Sequence, residues 1–250
     1  MPGIISRLFS VEGMISPEKR IGEIPTTKEA YGNVLQIALP SVLELVRVSL
    51  IGSIDTMMVG SLGPEAIAAV GLTGQPRMLI LCIFFALNIG VTAVVARRRG
   101  QDRQDKANEA LRNALVIIVM ISLVMMSIAL FFSNPLMRMA GAKDDTVALA
   151  SNYFIIINSV LPLNALTMCI NAAQRGVGNT RVTMYVNILS NGVNIILNWL
   201  LINGNLGFPK LGVQGAAIAT AIGFVAGFIF SLFSVISRKS VGRFLHLSIH

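Results

Sequence analysis

"VNILSNGVNIILNWLLING", residues 186–204, is nearly all apolar, yet it carries Asn187, Asn191, Asn194 and Asn198. The gaps between these amides are four, three and four residues. On an α-helix, at about 100° per residue, all four fall within a sector of roughly 60°. A run of this length and polarity reads as a helix that crosses a bilayer. Its one amide stripe then faces protein or water rather than lipid.

The rest of the chain has the same character. It is 54% hydrophobic and only 13% charged, with a mean hydropathy of +0.72. A soluble domain of 250 residues needs more charge to cover its surface. Long apolar runs alternate with short polar knots, the pattern of an all-α, polytopic membrane protein. Six spans are expected, over about 35–60, 76–96, 110–133, 147–170, 182–202 and 212–236. The stretch from Glu65 reads as an outer extension of span two, interrupted by Gly74 and Pro76. This gives a lead-in over 1–33, a six-helix lobe over 34–237 and a tail over 238–250. The lead-in has no sustained apolar stretch before a small-residue cleavage site, so it does not read as a secretory signal. Pro40 and Pro162 lie inside spans one and four, where a missing N–H bends a helix and frees a carbonyl.

Charge placement orients the spans. With the N-terminus in the cytoplasm, the inner segments hold fifteen Lys and Arg and the outer segments four: Arg77, Arg138, Lys143 and Lys210. Arg47 lies inside span one. That bias places both termini in the cytoplasm of a cell (plasma) membrane protein. It also explains most of the net charge of +8, so nucleic acid is not an expected partner. The two cysteines, Cys82 and Cys169, both lie in spans, and the two histidines, His246 and His250, both lie in the last five residues. The chain is therefore not expected to be an enzyme: a histidine base or histidine-held metal within the membrane is ruled out.

Two acids lie within spans, Glu44 and Asp55, both in span one. They are eleven residues apart, about 20° around a helix, and so share a face. Arg47 is one turn from Glu44, a spacing at which the two charges neutralise each other and position the helix. Asp55 has no basic neighbour within its span and reads as an ion or proton site, or as a hydrated acid near the outer end. The amides have two readings. They are glue between membrane helices, worth about 0.6–2 kcal/mol each. They are also hard, neutral oxygen ligands suited to Na⁺ beside an acid. In span six, Gly212, Gly215, Ala219, Gly223 and Gly227 give small-residue spacing for close packing, and Thr220 adds a hydroxyl.

Four stretches in order carry a resemblance. They are "ALPSVLELVRVSLIGSIDTMMVGSLGPEAIAAVGL" (38–72), "GVTAVVARRRGQDRQDKANEAL" (90–111), "AQRGVGNTR" (173–181) and "LGVQGAAIATAIG" (211–223). Together they resemble the N-terminal half of MATE (multidrug and toxic compound extrusion) transporters, over about residues 30–240. The resemblance implies one lobe of a twelve-span fold built from two six-helix lobes. It implies export of drugs or organic cations in exchange for Na⁺ or H⁺, with no other cofactor or metal. It assigns cation or proton coupling to Asp55, Asn194, Asn198 and Thr220. Asn187, Asn191, Glu44 and Arg47 are the candidates for lining the cavity, and Pro40 is the candidate hinge. Some members carry Asp where this chain has Asn198, which lowers the negative charge of the site. The expected partners are a small-molecule substrate, membrane lipid, and a second six-helix half or a second copy. A lipid-linked oligosaccharide flippase of the same superfamily is an alternative, though only Arg47 would meet a diphosphate within the spans. A non-transporting membrane assembly subunit is another.

Overall fold

The structure, a computed structural model, describes residues 26–29, 31–32, 53–54, 56–236 and 245. Contacts divide the chain into two units, 1–53 and 54–250. In the first, Thr26 and Glu29 cap a short helical stretch reciprocally. The Thr26 hydroxyl donates to Glu29 Oε2 at 2.8 Å, and the Glu29 N–H donates back to Thr26 Oγ1 at 3.4 Å. The Thr26 hydroxyl and N–H hold the Glu29 carboxyl below its ordinary pKa.

The second unit is helical throughout its main elements. Helix α1 runs Pro64–Gly100. Pro64 presets its first turn, and Arg97, Arg98 and Arg99 place positive charge at its carbonyl end. At about 1.5 Å per residue its 37 residues exceed the roughly 30 Å hydrocarbon core. The expected interruption at Gly74 and Pro76 is absent: α1 is one helix through both. Pro76 removes one donor, but the neighbouring turns keep their bonds, and Pro76 is buried against protein.

A turn at Asp102, with φ of 52°, leads to α2, Gln104–Phe131. A short helix not foreseen from sequence, α3, covers Ser133–Met139, and its Asn134 accepts a 2.8 Å hydrogen bond from Ser151. The fourth expected span is two helices, α4 (Val147–Asn158) and α5 (Leu161–Gly176), bent by 50°. Pro162 stands in the first turn of α5, where its missing N–H costs nothing. Asn158 Nδ2 donates to the Phe154 carbonyl at 2.8 Å beside the break.

Helix α6 spans Thr180–Asn203 and α7 spans Gly212–Ile236. They form the tightest pair in the lobe. Gly204 ends α6 at φ 74°, a left-handed conformation that glycine adopts without strain. The Leu211 N–H then closes the loop onto the Leu201 carbonyl at 2.9 Å. Gly215 rests on the Leu201 backbone and Gly223 on the Ser190 carbonyl. The Ser190 hydroxyl donates to the Gly223 carbonyl at 2.8 Å. The small residues of α7 thus bring two backbones together, as their spacing predicts.

Among the described residues, four helices are long and apolar enough to cross a membrane, or five if the bent α4–α5 pair is one broken span. The expected span one lies largely outside the described residues. Phe84, Leu111, Ile118, Leu161 and Ile170 fill one core where α1, α2 and α5 meet. Tyr153, Ile157, Ile202, Val213 and Ala217 fill another between α4, α6 and α7. Large apolar side chains such as Leu79, Met120, Phe131, Ile229 and Phe233 point outward, as in a protein whose solvent is lipid. The chain is an all-α, multi-pass membrane protein.

Candidate functional site

Helices α6 and α7 bring three of the expected residues into one cluster. Asn194 and Asn198 are four apart on α6, one turn along the same face, and both are buried. The Asn194 side-chain amide donates to Thr220 Oγ1 on α7 at 3.0 Å. Asn198 Nδ2 donates to Asn194 Oδ1 at 3.4 Å. The Thr220 hydroxyl in turn donates to the Ala216 carbonyl at 3.0 Å, one turn back on its own helix. Asn194 can meet Thr220 because Gly223 has no side chain: a Cβ there would stand 3.2 Å from the Asn194 Cβ.

Chemically, the cluster gathers amide and hydroxyl oxygens, hard and uncharged, within a membrane-spanning helix pair. Such a set suits a monovalent cation once an acid supplies negative charge. Asp55, the expected acid, lies outside the described residues. So do Pro40, Glu44 and Arg47.

The stripe on α6 does not act as one unit. Asn194 and Asn198 enter the cluster, while Asn191 is half-buried one turn away. Asn187, two turns nearer the helix start, lines a cavity of about 780 Å³ between α1, α5 and α6.

Two features were not foreseen from sequence. Tyr153 on α4 is buried in the core formed by Ala216, Ala217 and Ile202, next to the helix pair that carries the cluster. The phenol in "SNYF" was the available signal, but its partner helices are distant in sequence. Arg77 was expected in an outer segment. It lies within α1, half-buried, with its guanidinium 5.2 Å over the Phe224 ring, an attractive cation–π geometry. Phe224 stands one turn beyond Thr220 on α7.

The MatE family profile matches residues 40–200. The uncharacterized transporter YisQ of Bacillus subtilis is 29% identical over 79% of this chain and 43% of its own length. The FAD transporter of Shewanella oneidensis is 29% identical over 82% and 45%. The probable multidrug resistance protein NorM of Bacillus licheniformis is 28% identical over 89% and 49%. Among solved structures, a MATE in the bent conformation superposes with a TM-score of 0.72 at 28% identity, over 80% of this chain and 43% of that one. An outward-facing multidrug resistance MATE family transporter of the MOP superfamily gives 0.76 at 26%, over 86% and 47%. The chain spans about half the length of the curated relatives it matches. A family match over most of the chain, together with the half-transporter fold, makes this protein a member of the MatE family.

Proposed function

We propose that the chain forms one lobe of a secondary active exporter that moves drugs or organic cations out of the cell in exchange for Na⁺ or H⁺. The observation that carries this reading is the cluster of Asn194, Asn198 and Thr220, buried between two spanning helices. Packing alone does not need three polar side chains converging at one depth of an apolar helix pair.

In this reading Asp55 supplies the charge and the cluster supplies the neutral oxygens. Binding of the cation, or protonation of Asp55, neutralises the charge of that side chain. A ligand shifts a two-state equilibrium only by its differential affinity for the two states. The cation therefore favours whichever arrangement of span one brings Asp55 onto the cluster. On this reading Pro40 is the expected hinge of span one, and Glu44 and Arg47, three residues apart in sequence, are expected to neutralise each other. Substrate crosses between this lobe and a second one, given by another six-helix half or by a second copy. The relatives' names range from multidrug resistance proteins to an FAD transporter, so the substrate class is amphipathic organic solutes. In this reading both termini face the cytoplasm, which the excess of Lys and Arg in the inner segments supports.

The test is Asp55→Asn in cells that make the chain with its second lobe. Asparagine keeps the shape of the side chain and removes the charge. Cation-driven dye efflux should fall to the level of cells without the protein. Efflux at the unaltered rate would remove Asp55 from the coupling site and the proposal with it.

A further inference from the structure

Charge separates the two ends of the lobe. Gly176, at the close of α5, packs on the Thr92 carbonyl of α1, so the α1–α2 and α5–α6 turns lie at one end. Residues 97–112 and 175–181, around those turns, hold eight Lys and Arg against Asp102, Asp105 and Glu109. At the other end Glu65, Lys143 and Asp145 line one hollow. With Arg138, Asp144 and Lys210 they make three basic and three acidic residues, which balance.

Three of the arginines stand at the edge of the apolar surface. Arg97 comes three residues after Val94 on α1, Arg112 four before Val116 on α2, and Arg181 four before Tyr185 on α6. Residues at these spacings share a helix face, about 5.4 Å apart along the axis. Val94, Val116 and Tyr185 are 46%, 57% and 50% exposed, so those faces are turned outward. The three arginines, themselves exposed, therefore sit where hydrocarbon gives way to headgroups, a depth that the ring of Tyr185 also favours.

The ion pairs between described residues, Lys106–Glu109 and Arg138–Asp144, leave Arg97, Arg112 and Arg181 out. Glu109, one turn from Arg112, is held by Lys106 at 2.7 Å. An acidic soluble partner would use the tips of the turns, whereas these three groups flank the lipid-facing surface. A guanidinium fork also matches the paired oxygens of a phosphate. We infer that this rim binds anionic phospholipid headgroups, such as that of phosphatidylglycerol, in preference to phosphatidylcholine, whose net charge is zero. The inference rests on the membrane fold and does not need the exporter reading.

Quenching by brominated lipids tests it. The one tryptophan, Trp199, lies near the end of α6 away from Arg181 and reports the balanced end of the lobe. Tyr185→Trp combined with Trp199→Phe moves the reporter to one turn from Arg181. The full chain is placed in phosphatidylcholine bilayers with a minor, equal fraction of dibromo-phosphatidylglycerol or dibromo-phosphatidylcholine. At position 185 the anionic lipid should be favoured at least about fivefold, the effect of one basic residue at a charged surface. Trp199 in the unaltered chain should be quenched alike by both lipids. Arg97→Gln, Arg112→Gln and Arg181→Gln together should erase the preference, and lysine at the same three positions should keep most of it. Molar NaCl should erase it too with every arginine in place, so the test stands even where the glutamine variant fails to fold. Equal quenching at position 185 would overturn the inference and leave the rim to a soluble acidic partner. So would a preference that survives the glutamine variant or molar salt, or one matched at Trp199. Relief of the quenching by millimolar inorganic phosphate would also overturn it, as the mark of a site for free anions.

Discussion

Replacing Gly215 with alanine is expected to force α6 and α7 apart and to destabilise the lobe by about 1–3 kcal/mol or more, the range for overpacking a close contact. A Cβ at this position would stand 2.6 Å from the Leu201 carbonyl oxygen and 2.8 Å from its carbon. Both atoms are backbone, so no rotamer relieves the clash. The same oxygen accepts the 2.9 Å bond from the Leu211 N–H that closes the loop, and that bond goes as well. Separation at Gly215 also draws Thr220, five residues on, away from Asn194. Gly192 on α6 is the control, because a Cβ there meets nothing within 4 Å. Gly192→Ala should be neutral or stabilising by up to about 1 kcal/mol, the helix-propensity difference. Thermal unfolding in detergent reads both variants. Equal midpoints for Gly215→Ala and Gly192→Ala would mean that the helix pair is looser than described.

Thr220→Val should weaken the coupling cation by about tenfold to a hundredfold while leaving the fold nearly intact. Valine keeps the branched shape and loses only the hydroxyl. The Asn194 amide then loses its 3.0 Å acceptor inside the helix pair. The cation in turn loses the hydroxyl oxygen of Thr220 as a ligand, and a factor of ten in affinity is about 1.4 kcal/mol. Thr220→Ser keeps the oxygen and should keep most of the affinity. The readout is the cation concentration that gives half-maximal dye efflux, for Na⁺ and for H⁺ in turn. A half-maximal concentration unmoved in the valine variant would take Thr220 out of the site and leave it a packing residue.

Much of the architecture was written in local pattern. Helix α7 occupies Gly212–Ile236 because a turn-rich loop ends at Gly212 and apolar and small residues then run unbroken. The bend at Pro162 was legible as a bend. That it becomes a full break, with Asn158 satisfying a carbonyl, depends on packing that local sequence does not contain. Gly74 and Pro76 misled in the opposite sense: both are helix breakers by propensity, yet α1 runs unbroken through the exposed Gly74 and the buried Pro76. In the cluster, the four-residue spacing of Asn194 and Asn198 placed them on one face from sequence alone. The link to Thr220 needed the family resemblance, because the register between two helices is set by which glycines meet which carbonyls. The partners of Asn187 were missed for the same reason. Asn88 and Asn171 are isolated amides in "LNIG" and "CINA", and only the crossing of α1 and α5 brings them to one cavity.

The most direct test of the exporter account is dye flux in proteoliposomes that contain the chain with its second lobe, with one gradient imposed at a time. The account predicts that either an inward Na⁺ gradient or an inward H⁺ gradient drives dye against its own concentration, and that collapsing that gradient stops it. Dye movement at the same rate with and without both gradients would contradict the account.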